Sequence, residues 1–145
     1  MKIKKYIIIG NIIVFLDQLS KVLIINKNIT IIHSLLSFTY TKNYGGAFSI
    51  GKFQVITILS IAIIIGIIAF LLIKKEEIKN YTPYILILSG SIGNLIDRLA
   101  RGYVIDFINI NLFNFPSFNI ADTCIVLGIV WLIVFILKGE LKNSY

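Results

Sequence analysis

The stretch FQVITILSIAIIIGIIAFLLI, residues 53–73, runs without a single charge. A helix crossing the hydrocarbon core needs about 20 mostly apolar residues. A surface helix of a soluble bundle would carry a polar face, and this one has none, so it reads as a membrane span. Three further segments qualify, working outward from it. Residues 6–25 are apolar except around Asp17, Gln18 and Lys21; residues 84–99 are clean until Asn94, Asp97 and Arg98; residues 120–137 carry Asp122 in their opening turn. The expectation is an all-α membrane protein with four transmembrane helices and one integral membrane domain over residues 1–145.

Composition agrees. Of the 145 residues 57% are hydrophobic and only 14% charged, where soluble domains carry about a quarter charged. In a soluble protein the net charge of +7 would suggest nucleic acid; in a membrane protein it reports orientation, and no nucleic-acid partner is expected. Lys2, Lys4, Lys5, Lys74, Lys75, Lys79, Lys138 and Lys142 fall on the side shared by both termini, against Lys27, Lys42, Lys52 and Arg101 on the other. The excess assigns both termini to the cytoplasm. The N-terminal lysines and the apolar run after them resemble a signal peptide, but no small-residue cleavage site follows, so the first helix is read as uncleaved.

Under that orientation Asn94, Asp97, Arg98, Lys21 and Asp122 all lie near the outer membrane–water interface, with Asp17 slightly deeper and Asp106 just beyond the third helix. The outer segments are the longer ones. Residues 29–43, rich in Ile, Thr, Phe and Tyr, favour short strands, and Gly45-Gly46 marks a turn.

Four aspartates, Asp17, Asp97, Asp106 and Asp122, stand in or beside apolar stretches. A charged residue at mid-membrane costs about 2.5–3.5 kcal/mol even on the lenient insertion scale, so each is a functional-site candidate. Two carboxylates held close cannot both ionise cheaply; one keeps a proton while the other can take one from water. Asp106 and Asp122 are the pair that best fits this chemistry, which needs no metal or cofactor, and none is expected. Asn119-Ile120-Ala121-Asp122 also reads as a helix start, with Asn119 as cap and Asp122 favoured by the helix dipole. Asp17 and Lys21, four apart on one helix face, read as an ion pair. Gly90 and Gly93 read as helix-packing residues. One cysteine, Cys124, and one histidine, His33, exclude an internal disulfide and a multi-residue Cys/His zinc site. Ser20 and Lys21, adjacent on a helix, make a poor Ser–Lys dyad.

Five segments in this order resemble one family, the bacterial lipoprotein signal peptidases (signal peptidase II): Asp17-Gln18-Leu19-Ser20-Lys21, Asn43-Tyr44-Gly45-Gly46-Ala47-Phe48-Ser49, Gly93-Asn94-Leu95-Ile96-Asp97-Arg98, Val104-Ile105-Asp106-Phe107 and Phe118-Asn119-Ile120-Ala121-Asp122. The resemblance implies an aspartyl endopeptidase of the bacterial cytoplasmic membrane, its four helices joined by a small β-rich cradle on the outer face. It implies Asp106 and Asp122 as the catalytic dyad, Asn43, Asn94, Arg98 and Asn119 as substrate-binding residues, and Asp17, Lys21 and Asp97 as supports. The implied substrates are diacylglyceryl-modified prolipoproteins, cut just before the lipidated cysteine, with membrane lipids as surroundings and globomycin-type inhibitors expected. Gly46 departs from the alanine more usual there. The competing class is a proton-coupled transporter or channel subunit, which would place polar groups through the full membrane depth; a non-enzymatic scaffold would leave the converging Asn, Asp and Arg unexplained.

Overall fold

The computed structural model describes residues 2–45, 53–76, 78, 80–112 and 115–142. In chain order they form α1 (Lys2–Ile24), β1 (Asn28–Ile32), β2 (Leu36–Asn43), α2 (Phe53–Ile73), α3 (Thr82–Arg101), β3 (Val104–Ile110) and α4 (Ile120–Lys142). Three helices are long and apolar enough to cross a membrane: α1 over Ile3–Ile24, α2 over Phe53–Ile73 and α4 over Ile120–Lys138. In α2 no residue is buried, so its isoleucines and leucines are free to meet lipid.

The third expected span, α3, differs. Its ends are conventional: Pro83 in the first turn, where no N–H partner is needed, and Gly102 at φ 77° closing the helix by donating to the Arg98 carbonyl at 3.2 Å. Its body packs against α1, α2 and α4 at once and buries Ile87, Leu88, Ser89, Gly90, Ser91, Gly93, Asn94 and Asp97. A central helix surrounded by protein needs less hydropathy than a lipid-facing one, which is why α3 falls outside the apolar set. Small residues make the close approach possible. A Cβ on Gly90 would run into the Ala121 carbonyl and stand 2.7 Å from Ile125; one on Gly93 would stand 2.7 Å from the Asp17 carboxylate.

The three strands form one antiparallel sheet in the order β1-β2-β3. Strands at 28–32 and 36–43 meet the sequence expectation. Strand β3 was not anticipated: from the sequence, Asp106 stands just beyond the third helix with no strand assigned there, whereas Val104–Ile110 is a strand. Val104, Ile105, Asp106 and Phe107 are all buried. A strand covered on both faces shows no period-2 alternation, which removes the signal by which a strand is read. Asp106 pairs in register with Thr41, and Asn43 with Val104. Between Phe38 and Thr41 the register shifts, so β2 carries one extra residue there; such a bulge bends the strand and re-aims the side chains beyond it. Ile105 and Phe107 pack with Ile24 at the end of α1, tying the sheet to the helices. Of the turn expected at Gly45-Gly46, Gly45 is described, in a bend, and Gly46 lies outside the described residues.

Candidate active site

Asp106 reaches the site from β3 and Asp122 from the first turn of α4, and both line one cavity of about 740 Å³. Its lining includes the polar Thr41 and Asn43 of β2 and the apolar Phe115, Phe118, Ile125 and Val126. A mostly apolar lining with a few polar groups is the ordinary make-up of a ligand cavity.

Three asparagines hold the two carboxylates. Asn119 Nδ2 donates to Asp106 Oδ1 at 2.7 Å, and Asn43 Nδ2 donates to Asp106 Oδ2 at 2.9 Å. Asn94 Nδ2 donates to Asp122 Oδ1 at 2.7 Å, while the Asn119 backbone N–H donates to Asp122 Oδ2 at 3.2 Å. In return the Asp122 N–H donates to Asn119 Oδ1 at 2.9 Å. That reciprocal pair is a capping arrangement at the start of α4. The helix-cap reading of Asn119 and Asp122 and the site reading are therefore both satisfied by the same atoms. Asn43 is itself fixed by the Gly45 N–H, which donates to its Oδ1 at 2.9 Å, an Asx turn that leaves the amide nitrogen for Asp106.

Burial, and then the nearby charge of Asp122, push the Asp106 carboxyl up from 3.8 to about 6; the bonds from Asn43 and Asn119 restrain the rise. A carboxyl that exchanges its proton near neutral pH is what acid–base work requires.

Behind this layer lies a buried ion cluster. Lys21 Nζ, fully enclosed, sits 2.8 Å from Asp17 Oδ2, 3.1 Å from Asp97 Oδ2 and 3.1 Å from Asn94 Oδ1. The expected Asp17–Lys21 pair is thus present, with Asp97 as a third member. Gln18 Nε2 bridges Asp17 and Asp97 at 3.1 and 3.2 Å, and Arg101 bonds both Asp97 and Gln18 Oε1. Gln18 and Arg101 were missed as site residues. Arg98 reaches toward α2, donating to Ser60 Oγ at 3.4 Å, and its charge is felt by Asp122, Asp106 and Asp97. Among the described residues its Nε is the buried side-chain polar atom without a partner. Four carboxylates (Asp17, Asp97, Asp106, Asp122) thus face three cations (Lys21, Arg98, Arg101), and one proton shared by the cavity pair would leave the whole assembly neutral.

Other candidates stay apart. Cys124 is buried and does not line the cavity, His33 lies in the exposed β1–β2 turn, and the Ser20 hydroxyl donates to the Asp17 carbonyl at 2.7 Å. No cluster of three or more His, Cys, Asp or Glu suited to a metal is found among the described residues.

Two carboxylates on one cavity, Asp106 buried and Asp122 half-buried, beside apolar helices long enough to cross a membrane form a candidate acid–base site. The sequence pattern of the signal peptidase (SPase) II family matches residues 9–138. The chain is 36% identical over 146 residues to the lipoprotein signal peptidase of Streptococcus agalactiae, covering 95% of each. It is 39% identical over 138 residues to that of Clostridium tetani, covering 88% of each. In three dimensions it is similar to a bacterial membrane enzyme solved by the in meso method at 2.3 Å resolution, with TM-score 0.85 and 31% identity over 99% of this chain and 93% of that one. A second such structure, at 1.9 Å, gives TM-score 0.80 and 32% identity over 94% of each. The chain belongs to the signal peptidase II family and is a bacterial membrane protein.

Proposed function

We propose that this protein is a membrane aspartyl endopeptidase that removes the signal peptide from diacylglyceryl-modified prolipoproteins, cutting before the lipidated cysteine, with Asp106 and Asp122 as its catalytic dyad. The observation that carries the reading is the shared cavity in which two carboxylates, one of them raised to about 6, are gripped by Asn43, Asn94 and Asn119. The ionised member takes a proton from water, which attacks the peptide carbonyl as the protonated member gives its proton to the carbonyl oxygen. The proton taken from water then passes to the leaving amine as the C–N bond breaks, and a hydroxyl proton of the gem-diol returns to the other carboxylate. The two titrate as a unit. Asn43, which lines the cavity, is placed to touch the substrate. Asn94 and Asn119 orient the dyad through their bonds to Asp122 and Asp106, and Arg98 in this reading is a substrate-binding residue that must turn toward the cavity when substrate enters.

The same reading has one integral membrane domain over residues 1–145, with α3 as the fourth crossing. Both termini face the cytoplasm of the bacterial inner membrane and the sheet lies at the outer face, where a lipid-anchored substrate presents its scissile bond. Globomycin-type inhibitors would compete for the cavity; nucleic acid would not.

Acyl chains contribute about 0.8 kcal/mol per buried CH₂, enough to hold the lipidated cysteine at the depth of the cavity. The test compares initial rates on a prolipoprotein with and without its diacylglyceryl group, in one detergent. Much slower cutting of the unmodified form is expected; equal rates would mean that the lipid is not read.

A further inference from the structure

The hydrogen bonds of the buried ion cluster end on the residues that immediately precede the two cavity aspartates. Asp17 Oδ1 accepts the backbone N–H of Ala121, one residue before Asp122, at 2.9 Å. Asp97 Oδ2 accepts the backbone N–H of Ile105, one residue before Asp106, at 3.0 Å. Lys21 holds the other oxygen of Asp17 and shares that same oxygen of Asp97. Its third bond goes to Asn94 Oδ1, which also accepts from Asn119 Nδ2 at 3.2 Å. With its oxygen occupied twice, the Asn94 amide turns its nitrogen to Asp122.

We infer that Lys21, by clamping Asp17, Asp97 and Asn94, is a positioning residue that sets the spacing of the Asp106–Asp122 pair. The inference rests on the dyad reading above and deepens it. Asp17 carries the α4 end, Asp97 the β3 end, and Lys21 is the common pin between them. Asp17, Lys21, Asp97 and Asn94 are enclosed, so water does not replace a lost partner at no cost. Gln18 braces the two acids from the side, and Gly93 leaves the room in which Asp17 lies.

The charged groups around Lys21 are Asp17 on its own helix, Asp97, Arg98 and Arg101 on α3, Asp106 on β3 and Asp122 on α4. The experiment measures kcat, KM and the pH–rate profile of Lys21→Met, Asp17→Asn and Asp106→Asn on a diacylglyceryl-modified prolipoprotein. A misplacement of about 1 Å costs on the order of a hundredfold in rate. Lys21→Met and Asp17→Asn are therefore both expected to lose about that much kcat with KM little changed, and Lys21→Met to move its acid limb to higher pH. Asp17→Asn keeps an oxygen for the Ala121 N–H and nearly its volume, so it reports even if Lys21→Met does not fold. Two results overturn the inference: wild-type kcat in Asp17→Asn, or opposite shifts of the two acid limbs with kcat preserved, which would mean that the cluster acts through its field alone. An active Asp106→Asn would instead sink the dyad reading, a separate outcome read in the same assay.

Discussion

Helices α2 and α3 have nearly the same length, 21 and 20 residues, and opposite characters. The first carries no charge on any face and has no buried residue. The second is polar toward its C-terminal end and buries Asn94 and Asp97 against α1, α4 and the sheet. Hydropathy marks the surface that lipid wets; the exceptions to hydropathy mark the surface that the protein keeps for itself. The glycines make the same point. Nothing stands within 4 Å of a Cβ at Gly66 of α2, while Gly90 and Gly93 of α3 are hemmed in by Ala121, Ile125 and Asp17.

The largest contrast is expected at Asn119, the residue through which α4 and the sheet meet. Its amide bonds Asp106, Asn94 and the Ile105 carbonyl, and its oxygen caps the Asp122 N–H. Loss of the cap alone is worth about 1 kcal/mol. Loss of donors to a charged group adds about 1.5–3 kcal/mol each. Asn119→Ala should lower kcat by about a thousandfold or more and lower the melting temperature measurably in detergent; cleavage close to wild type would separate α4 from the chemistry.

Next comes the helix contact itself. Gly90→Val pushes a side chain into the α4 backbone beside Asp122, and overpacking of this kind costs about 1–3 kcal/mol. Lower thermal stability and reduced cleavage are expected together. Unchanged stability would mean that α3 and α4 approach less closely.

A smaller effect is expected at the sheet. Asn43→Ala removes one donor from Asp106, so the raised carboxyl rises further. The rate should fall about tenfold to a hundredfold, with the acid limb of the pH–rate profile at higher pH. A limb that stayed put or moved to lower pH would contradict the role given to that bond. The smallest effect belongs to α2: Gly66→Ala meets no neighbour and gains helix propensity of up to about 1 kcal/mol. Activity should be unchanged, and a defect would show that this helix face is not free.

How much was legible follows from which residues speak locally. Residues 53–73 and 120–137 announce themselves by composition, and Asp17 with Lys21 by helical spacing. Asp106 and Asp122 could be paired because both interrupt apolar surroundings at one depth. Strand β3 was illegible because both its faces are covered. Arg101 and Gln18 were missed because their contact spans 83 positions in sequence, and no local pattern links a helix-end arginine to a glutamine on another helix. Ser60 was missed because its hydroxyl donates to its own helix at Ile56, the ordinary behaviour of serine in an apolar span.

The most direct measurement is cleavage of a diacylglyceryl-modified prolipoprotein by purified Asp106→Asn and Asp122→Asn, followed by gel shift, beside thermal melts across pH. The melts supply the folding control with a definite sign. With its pKa raised to about 6 when folded, protonated Asp106 favours the fold below its ordinary 3.8, and that contribution is lost as pH rises through about 6. The stability of Asp106→Asn relative to wild type should therefore improve over that window. Each folded variant is expected to lose cleavage by at least about a thousandfold; turnover within about tenfold of wild type in either one would contradict the two-aspartate account.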